Sequence, residues 1–294
     1  MILIELNGVL SMEEILGESQ KREAQEIFAE LSEPAVLNQL LKSLEEGMID
    51  PSGEELSIFL RYLRPAALAP LIRATETTRV VALQERLRGA IAGLAREHPE
   101  ILTDLLRNSD DVVVIGAARL AGQIGLTNAV PAIGALLKNA SVTVRKAATE
   151  ALVSIKTGAA LDALQNALDD SDREVRIAAA RGIGSLRYQP ARARLETVLQ
   201  SKIVRIADLT EKMAFFEAFG SVANAESVET LDRLLNGKKL LGGRESPELR
   251  ACAAMALGKV GTAASKAALE RSAQDKEPMV RNAVMKALRS EVNA

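Results

Sequence analysis

Apolar residues along most of the chain recur at three- and four-residue spacing, as at Leu161, Leu164 and Leu168, a period that predicts α-helices. Polar or Gly/Pro punctuation separates these runs: Pro131, Gly158, Pro190 and Pro247 mark turns, and Asp169-Asp170-Ser171-Asp172 and Asp275-Lys276-Glu277-Pro278 each precede a longer apolar run. Acidic and hydroxyl side chains there suit a helix N-terminus, where they accept orphan N–H bonds and face the positive end of the helix dipole. The expected unit is a short outer helix, a polar turn and a longer inner helix.

The pattern repeats. Val144-Arg145-Lys146-Ala147-Ala148 with Leu152, Val175-Arg176-Ile177-Ala178-Ala179 with Ile183-Gly184, Leu249-Arg250-Ala251-Cys252-Ala253 with Leu257-Gly258, and Val280-Arg281-Asn282-Ala283-Val284 with Leu288 read alike. Arg145 to Arg176 and Arg250 to Arg281 are each 31 residues apart. A divergent copy places Lys212 in the arginine slot and Gly220 in the glycine slot, and another lies upstream at Val114-Ile115-Gly116-Ala117 with Ala121-Gly122. Six units at 31 to 38 residues predict an all-α solenoid of stacked antiparallel helix pairs. Alanines after each arginine let helices approach closely, and Leu152 and Leu257 fill the seam between units.

These motifs resemble bacterial HEAT-like repeats of the kind found in phycobilisome-lyase-type proteins, whose unit reads roughly Asp-x-x-x-x-Val-Arg-x-x-Ala-Ala-x-x-Leu-Gly-x-Ile. Asp170 with Val175-Arg176 and Ile183-Gly184, and Asp275 with Val280-Arg281 and Leu288, carry the likeness. The expected organisation is an acidic helical cap over residues 1–50, degenerate helical repeats over 51–109, and HEAT-like repeats over 110–294 with an insertion loop near 236–246. Helical periodicity runs through 12–31 and 35–44 without the repeat register, as a terminal cap requires.

Composition narrows the picture. Hydrophobic residues make up 48% of the 294, yet five Phe, two Tyr and no Trp leave only 2% aromatic, while 47 are Ala. That excludes an all-β sandwich or barrel and fits closely spaced helices. The net charge of −2 hides an asymmetry: residues 1–60 carry 13 acidic and 3 basic side chains, and 61–294 carry 26 and 34. The apolar opening Met1-Ile2-Leu3-Ile4 is broken by Glu5 and Asn7, and the apolar stretch 112–137 contains Arg119, Gln123, Asn128 and Pro131, so neither a signal peptide nor a membrane span is expected. A cytoplasmic protein is.

Candidate chemistry is sparse. One cysteine and one histidine cannot build a His/Cys metal site, and no Gly-rich phosphate loop or HExxH occurs, so no cofactor, metal or catalytic residue is expected. His98, before Pro99, reads as a helix-junction residue, and Cys252, among alanines, as a buried small hydrophobe. The arginine slots read as a structural ladder, with Asp170 and Asp275 six residues before Arg176 and Arg281 pairing within a unit or between neighbours.

A non-enzymatic scaffold or adaptor therefore leads: a right-handed superhelix whose concave face binds another protein or peptide. Glu150, Arg181, Phe216, Glu217, Met255 and Lys286, four or five places after the arginine slot, are expected to line that face, with Phe216 exposed as its aromatic anchor. Lys238, Lys239 and Arg244 of the insertion loop are expected to contact the same partner, closing over it. Phe215 and Phe219 are expected in the core. The resemblance implies two alternatives: a bilin lyase or isomerase-type subunit, which needs a pigment pocket that nothing here marks, and a HEAT-like DNA-binding protein, which needs aromatics and a basic groove that a Trp-free chain of net −2 does not offer.

Overall fold

The computed structural model describes residues 18–49, 51–238 and 243–290, and every regular element among them is helical. None of these helices is long and apolar enough to cross a membrane. The chain divides into two compact units, one ending at Leu136 and the other beginning at Leu137.

The first unit opens with α1 (Glu18–Leu31) and α2 (Pro34–Glu45), followed by α3 (Gly53–Arg61), α4 (Leu68–Thr77), α5 (Val81–Glu97), α6 (Pro99–Leu105), α7 (Asp111–Ile124) and α8 (Val130–Leu136). Ser52 starts α3 with a capping box, accepting from the Glu55 amide at 3.2 Å while its own amide donates to Glu55 at 2.9 Å. Two contacts tie α1 to the chain at the end of α3: Phe28 stacks on Tyr62 with ring centroids 5.0 Å apart, and the Arg64 amide donates to the Ser32 hydroxyl at 2.8 Å. Helix α2 buries Leu37 and Leu41 and packs on α4. His98 stands between α5 and α6, the junction its Pro99 neighbour predicts.

The second unit contains α9 (Val142–Ile155), α10 (Gly158–Leu164), α11 (Arg173–Ser185), α12 (Arg192–Gln200), α13 (Lys202–Ile206), α14 (Leu209–Val222), α15 (Ser227–Asn236), α16 (Pro247–Val260), α17 (Ala263–Glu270) and α18 (Pro278–Ser290). The arginine-slot helices α9, α11, α14, α16 and α18 pack side by side in sequence order. Leu152, Ile183, Phe219 and Leu257 are fully buried, as the seam assignment requires. The short α13 fills the extra length between Arg176 and Lys212, so an inserted turn of helix, as well as the later loop, stretches the period.

The polar turns start the inner helices as expected. Asp172 accepts from the Glu174 and Val175 amides, Asp208 from Glu211 and Ser246 from Leu249. The glycine slot has a steric cause: a Cβ on Gly184 would lie 2.6 Å from the Cα of Ala218, and one on Gly258 would lie 2.8 Å from the Cβ of Ala287. Consecutive inner helices touch backbone to backbone at these points, which only glycine permits.

Candidate partner-binding groove

The arginine ladder fixes the rotation of each inner helix. Arg145 reaches forward to the next unit and holds Asp170 with two nitrogens of its guanidinium, Nε to Oδ2 at 2.8 Å and Nη2 to Oδ1 at 2.9 Å. Its remaining nitrogen caps the Asn139 and Ala140 carbonyls of its own turn at 3.0 and 3.2 Å. Arg176 repeats this, donating to Glu211 at 2.5 Å and to the Asp170 carbonyl at 2.6 Å; Lys212 reaches Glu248 at 2.7 Å, and Arg250 pairs with Asp275. In these four pairs the carboxylate comes from the following unit; Arg145 and Arg176 also take carbonyls from the turn preceding their own helix, and Arg250 takes the Leu235 carbonyl on α15. Asp170 and Asp275, six residues before Arg176 and Arg281, serve the arginines of the units before them.

The pairs act on the carboxyls. Burial alone pushes Asp170 up, but the Arg145 guanidinium and the Asp172 amide outweigh it and hold the carboxyl below the usual range. For Asp275 the Arg250 hydrogen bonds dominate, opposed by burial and assisted by the Glu277 amide and Arg244, with the same net direction.

With the arginine slot turned into the stack, the fourth residue after it, only about 40° further round, also points inward. Thr149, Ala180, Phe216 and Ala254 are all buried; on α18, which has no further described inner helix after it, the corresponding Met285 is 40% exposed. Phe216, at 1% exposure, is therefore not the exposed anchor that the register count predicts. The fifth residue turns about another 100° and emerges: Glu150, Arg181, Glu217 and Lys286 are exposed and Met255 is half-buried. These five occupy one register line on successive inner helices.

Four of the predicted residues meet in one cavity of about 360 Å³ across α14, α16 and α18. Phe216 contributes to its lining with Cys252 and Ala256; Leu209, Met213, Met255 and Met279 form its apolar walls; Glu217, Lys259 and Lys286 supply its charges. Ala251 and Ala256 of α16 and Ala283 of α18 also line it, and their short side chains fill less of the space than the methionines. Met213 is 55% exposed and Met279 45%, so solvent reaches the walls. Lys259 bridges α16 to α14, donating to Glu217 at 3.0 Å and to the Ser221 hydroxyl at 3.4 Å. Burial pushes the Cys252 thiol up to about 11, so it stays protonated at neutral pH and is a wall atom rather than a nucleophile.

The loop residues lie elsewhere. Lys238 is exposed and lines a separate hollow with Gln200, Arg205, Thr230 and Arg233. Arg244 donates to Asp275 at 3.0 Å, joining Arg250 on that carboxylate. Neither lines the groove, so the expected closure of this loop over the strip is not how these two residues are placed; Lys239 lies outside the described residues. Among the groove residues that the register count misses are Leu209, Met213, Lys259 and Met279; for the two methionines the available signal is the concentration of methionines on α14, α16 and α18.

The HEAT-repeat family pattern matches residues 99–184, 136–213 and 202–289, and the chain belongs to that family. Among solved structures it is similar to the karyopherin Kap121p bound to the extreme C-terminus of the protein phosphatase Cdc14p, at 14% identity over 87% of this chain and 34% of that one, with a TM-score of 0.52. It is also similar to the CpcE and CpcF complex of phycocyanin lyase from a Nostoc species, at 21% identity over 65% of this chain and 75% of that one, TM-score 0.43. A third is human deoxyhypusine hydroxylase, at 19% identity over 88% and 98% of the two chains, TM-score 0.37. At such identities the likeness is one of fold. No curated protein matches the sequence.

Proposed function

We propose that this chain is a non-enzymatic cytoplasmic adaptor that holds a protein or peptide partner on the open face of its arginine-slot helices. One observation carries the reading: the exposed register line runs into an apolar, methionine-walled groove in which Met213 and Met279 stand half in solvent. Exposed apolar surface with a polar rim is the composition of an interface rather than of a finished surface. Methionine adapts its shape to a guest at low cost, which suits a surface that must fit another chain. The groove's one thiol is held protonated and ladder carboxylates are occupied by arginine, which supports binding over reaction at this face. The HEAT fold supports such use, since Kap121p shares it and carries a segment of Cdc14p.

The test is capture of partners from the native source with the parent chain and with two variants, Met255→Asp on the groove and Glu196→Lys on α12, each purified partner then being titrated directly. The reading expects a partner lost with Met255→Asp and kept with Glu196→Lys. Equal recovery with both variants, or turnover of a captured small molecule, would sink it.

A further inference from the structure

The arginine ladder leaves one half-rung open, on α18. In each complete rung the carboxylate stands within three residues of the start of the next inner helix: Asp170 before α11, Glu211 in α14, Glu248 in α16 and Asp275 before α18. The first unit has a rung of the same kind, Arg73 of α4 on Asp110 at the start of α7. Arg281 caps the Asp275 carbonyl of its own turn at 2.7 Å but holds no carboxylate among the described residues. Met285 and Leu288 share its side of α18, all three within about 60° around the helix. The equivalent positions on the earlier inner helices are fully buried, whereas Met285 is 40% exposed and Leu288 half-buried. This stripe lies about 150° round α18 from Met279 and Lys286, so it is a face apart from the groove.

What fits there is a helix with a carboxylate at its start and long apolar side chains after it. Arg289 stands in the slot where Gly184, Gly220 and Gly258 let the next helix touch backbone to backbone, so α18 cannot take an alanine-rich inner helix at that distance. Helix α2 has both features. Its Leu37 and Leu41 are buried, while Val36, Leu40 and Leu44 form a second apolar stripe beside them, 38% exposed at Val36 and half-buried at the two leucines. Glu33, the N-cap residue, falls on that second stripe, within about 80° of all three. Its exposed carboxylate caps no amide and has no partner among the described residues. Charge agrees: residues 278–290 hold three basic side chains and no acidic one, and residues 18–46 hold seven acidic against three basic, so the two faces attract. We propose that copies of this chain associate head to tail, α2 of one copy lying along α18 of another, with Glu33 on Arg281 and Val36, Leu40 and Leu44 over Met285 and Leu288. Both helices then run the same way, each with its charge near the start and its apolar residues following. The exposed ion pair adds little energy and sets the register, while the apolar stripes supply the contact. One helix pair is a small interface, so the association is weak and grows with concentration. Because the two surfaces differ, it also adds copies beyond two.

Sedimentation velocity of the full-length chain at low salt, over a concentration series, tests this. The average mass is expected to rise with concentration past that of a dimer. Glu33→Arg, Arg281→Glu and Val36→Asp should each require a concentration about 10-fold higher or more for the same mass, since each sets like charges or a buried charge across the contact. The double variant E33R/R281E restores opposite charges and is expected to recover assembly toward the parent's. None of the three positions is fully buried, and thermal unfolding of each variant checks that it keeps the parent fold. A chain that stays monomeric throughout, assembly that stops at a dimer, assembly indifferent to the single variants, or a double variant no better than the singles would each overturn the proposal. The adaptor reading is tested separately, since Glu33, Val36 and Arg281 line neither the groove nor the register line.

Discussion

Gly184 lies so close to Ala218 of the next inner helix that a Cβ built on it would stand 2.6 Å from the Ala218 Cα. Backbone cannot retreat as a flexible side chain can, so the added methyl must push two packed helices apart. Gly184→Ala is expected to destabilise the fold by about 1–3 kcal/mol, although alanine is the better helix former by about 1 kcal/mol. Gly89 on α5 meets nothing within 4 Å, and Gly89→Ala is expected to stabilise by about 0.5–1 kcal/mol. Urea unfolding of the two variants checks the opposite signs; two changes of the same sign would contradict the close-approach account.

Acid should loosen the ladder. Asp275 is held below the ordinary carboxyl range in the fold, so its charged form favours folding above the unfolded value near 3.9, and that contribution disappears as pH falls through the lower folded value. Asp275→Asn strands Arg250, which is only 3% exposed, and is expected to cost about 3–5 kcal/mol at pH 6. Its stability should then fall less steeply than the parent's below about pH 4, Asp170 still contributing its share. Urea midpoints at pH 6, 4 and 3 measure this, and parallel curves for parent and variant would contradict it.

Phe216 and Met213 sit three residues apart on α14 and should behave oppositely. Phe216 is fully buried, so Phe216→Ala is expected to cost about 3–5 kcal/mol, whereas Met213→Ala at an exposed wall should stay within about 0.5 kcal/mol of the parent. Thermal unfolding decides it; a small loss at Phe216 would return that ring to the surface.

Much of this architecture is legible in the sequence, because a solenoid writes each structural need once per unit. The arginine, alanine and glycine slots recur at fixed offsets, and Leu152 and Leu257 are buried where the register puts them. What fails is phase at a single residue. The count places the open face at the fourth and fifth positions after the arginine, but the arginine itself points into the stack to reach the next unit's carboxylate, and the fourth position goes with it. That pairing is between units, so the spacing of Asp170 from Arg176 along the chain conceals it. The groove is less legible still. Met213, Met255 and Met279 stand at different places in their units, so no single register position announces that they line one cavity together with Ala251, Ala256 and Ala283.

The most direct test of the account is methionine ε-methyl NMR of the full-length chain during titration with a partner captured from the native source. The chain has seven methionines, and Met48, after α2, provides an exposed reference that does not line the groove. The account predicts that the Met213, Met255 and Met279 methyls shift together, saturating at the stoichiometry of binding, while Met48 stays in place. Saturated binding that leaves those three methyls unmoved would contradict the claim that this groove holds the partner.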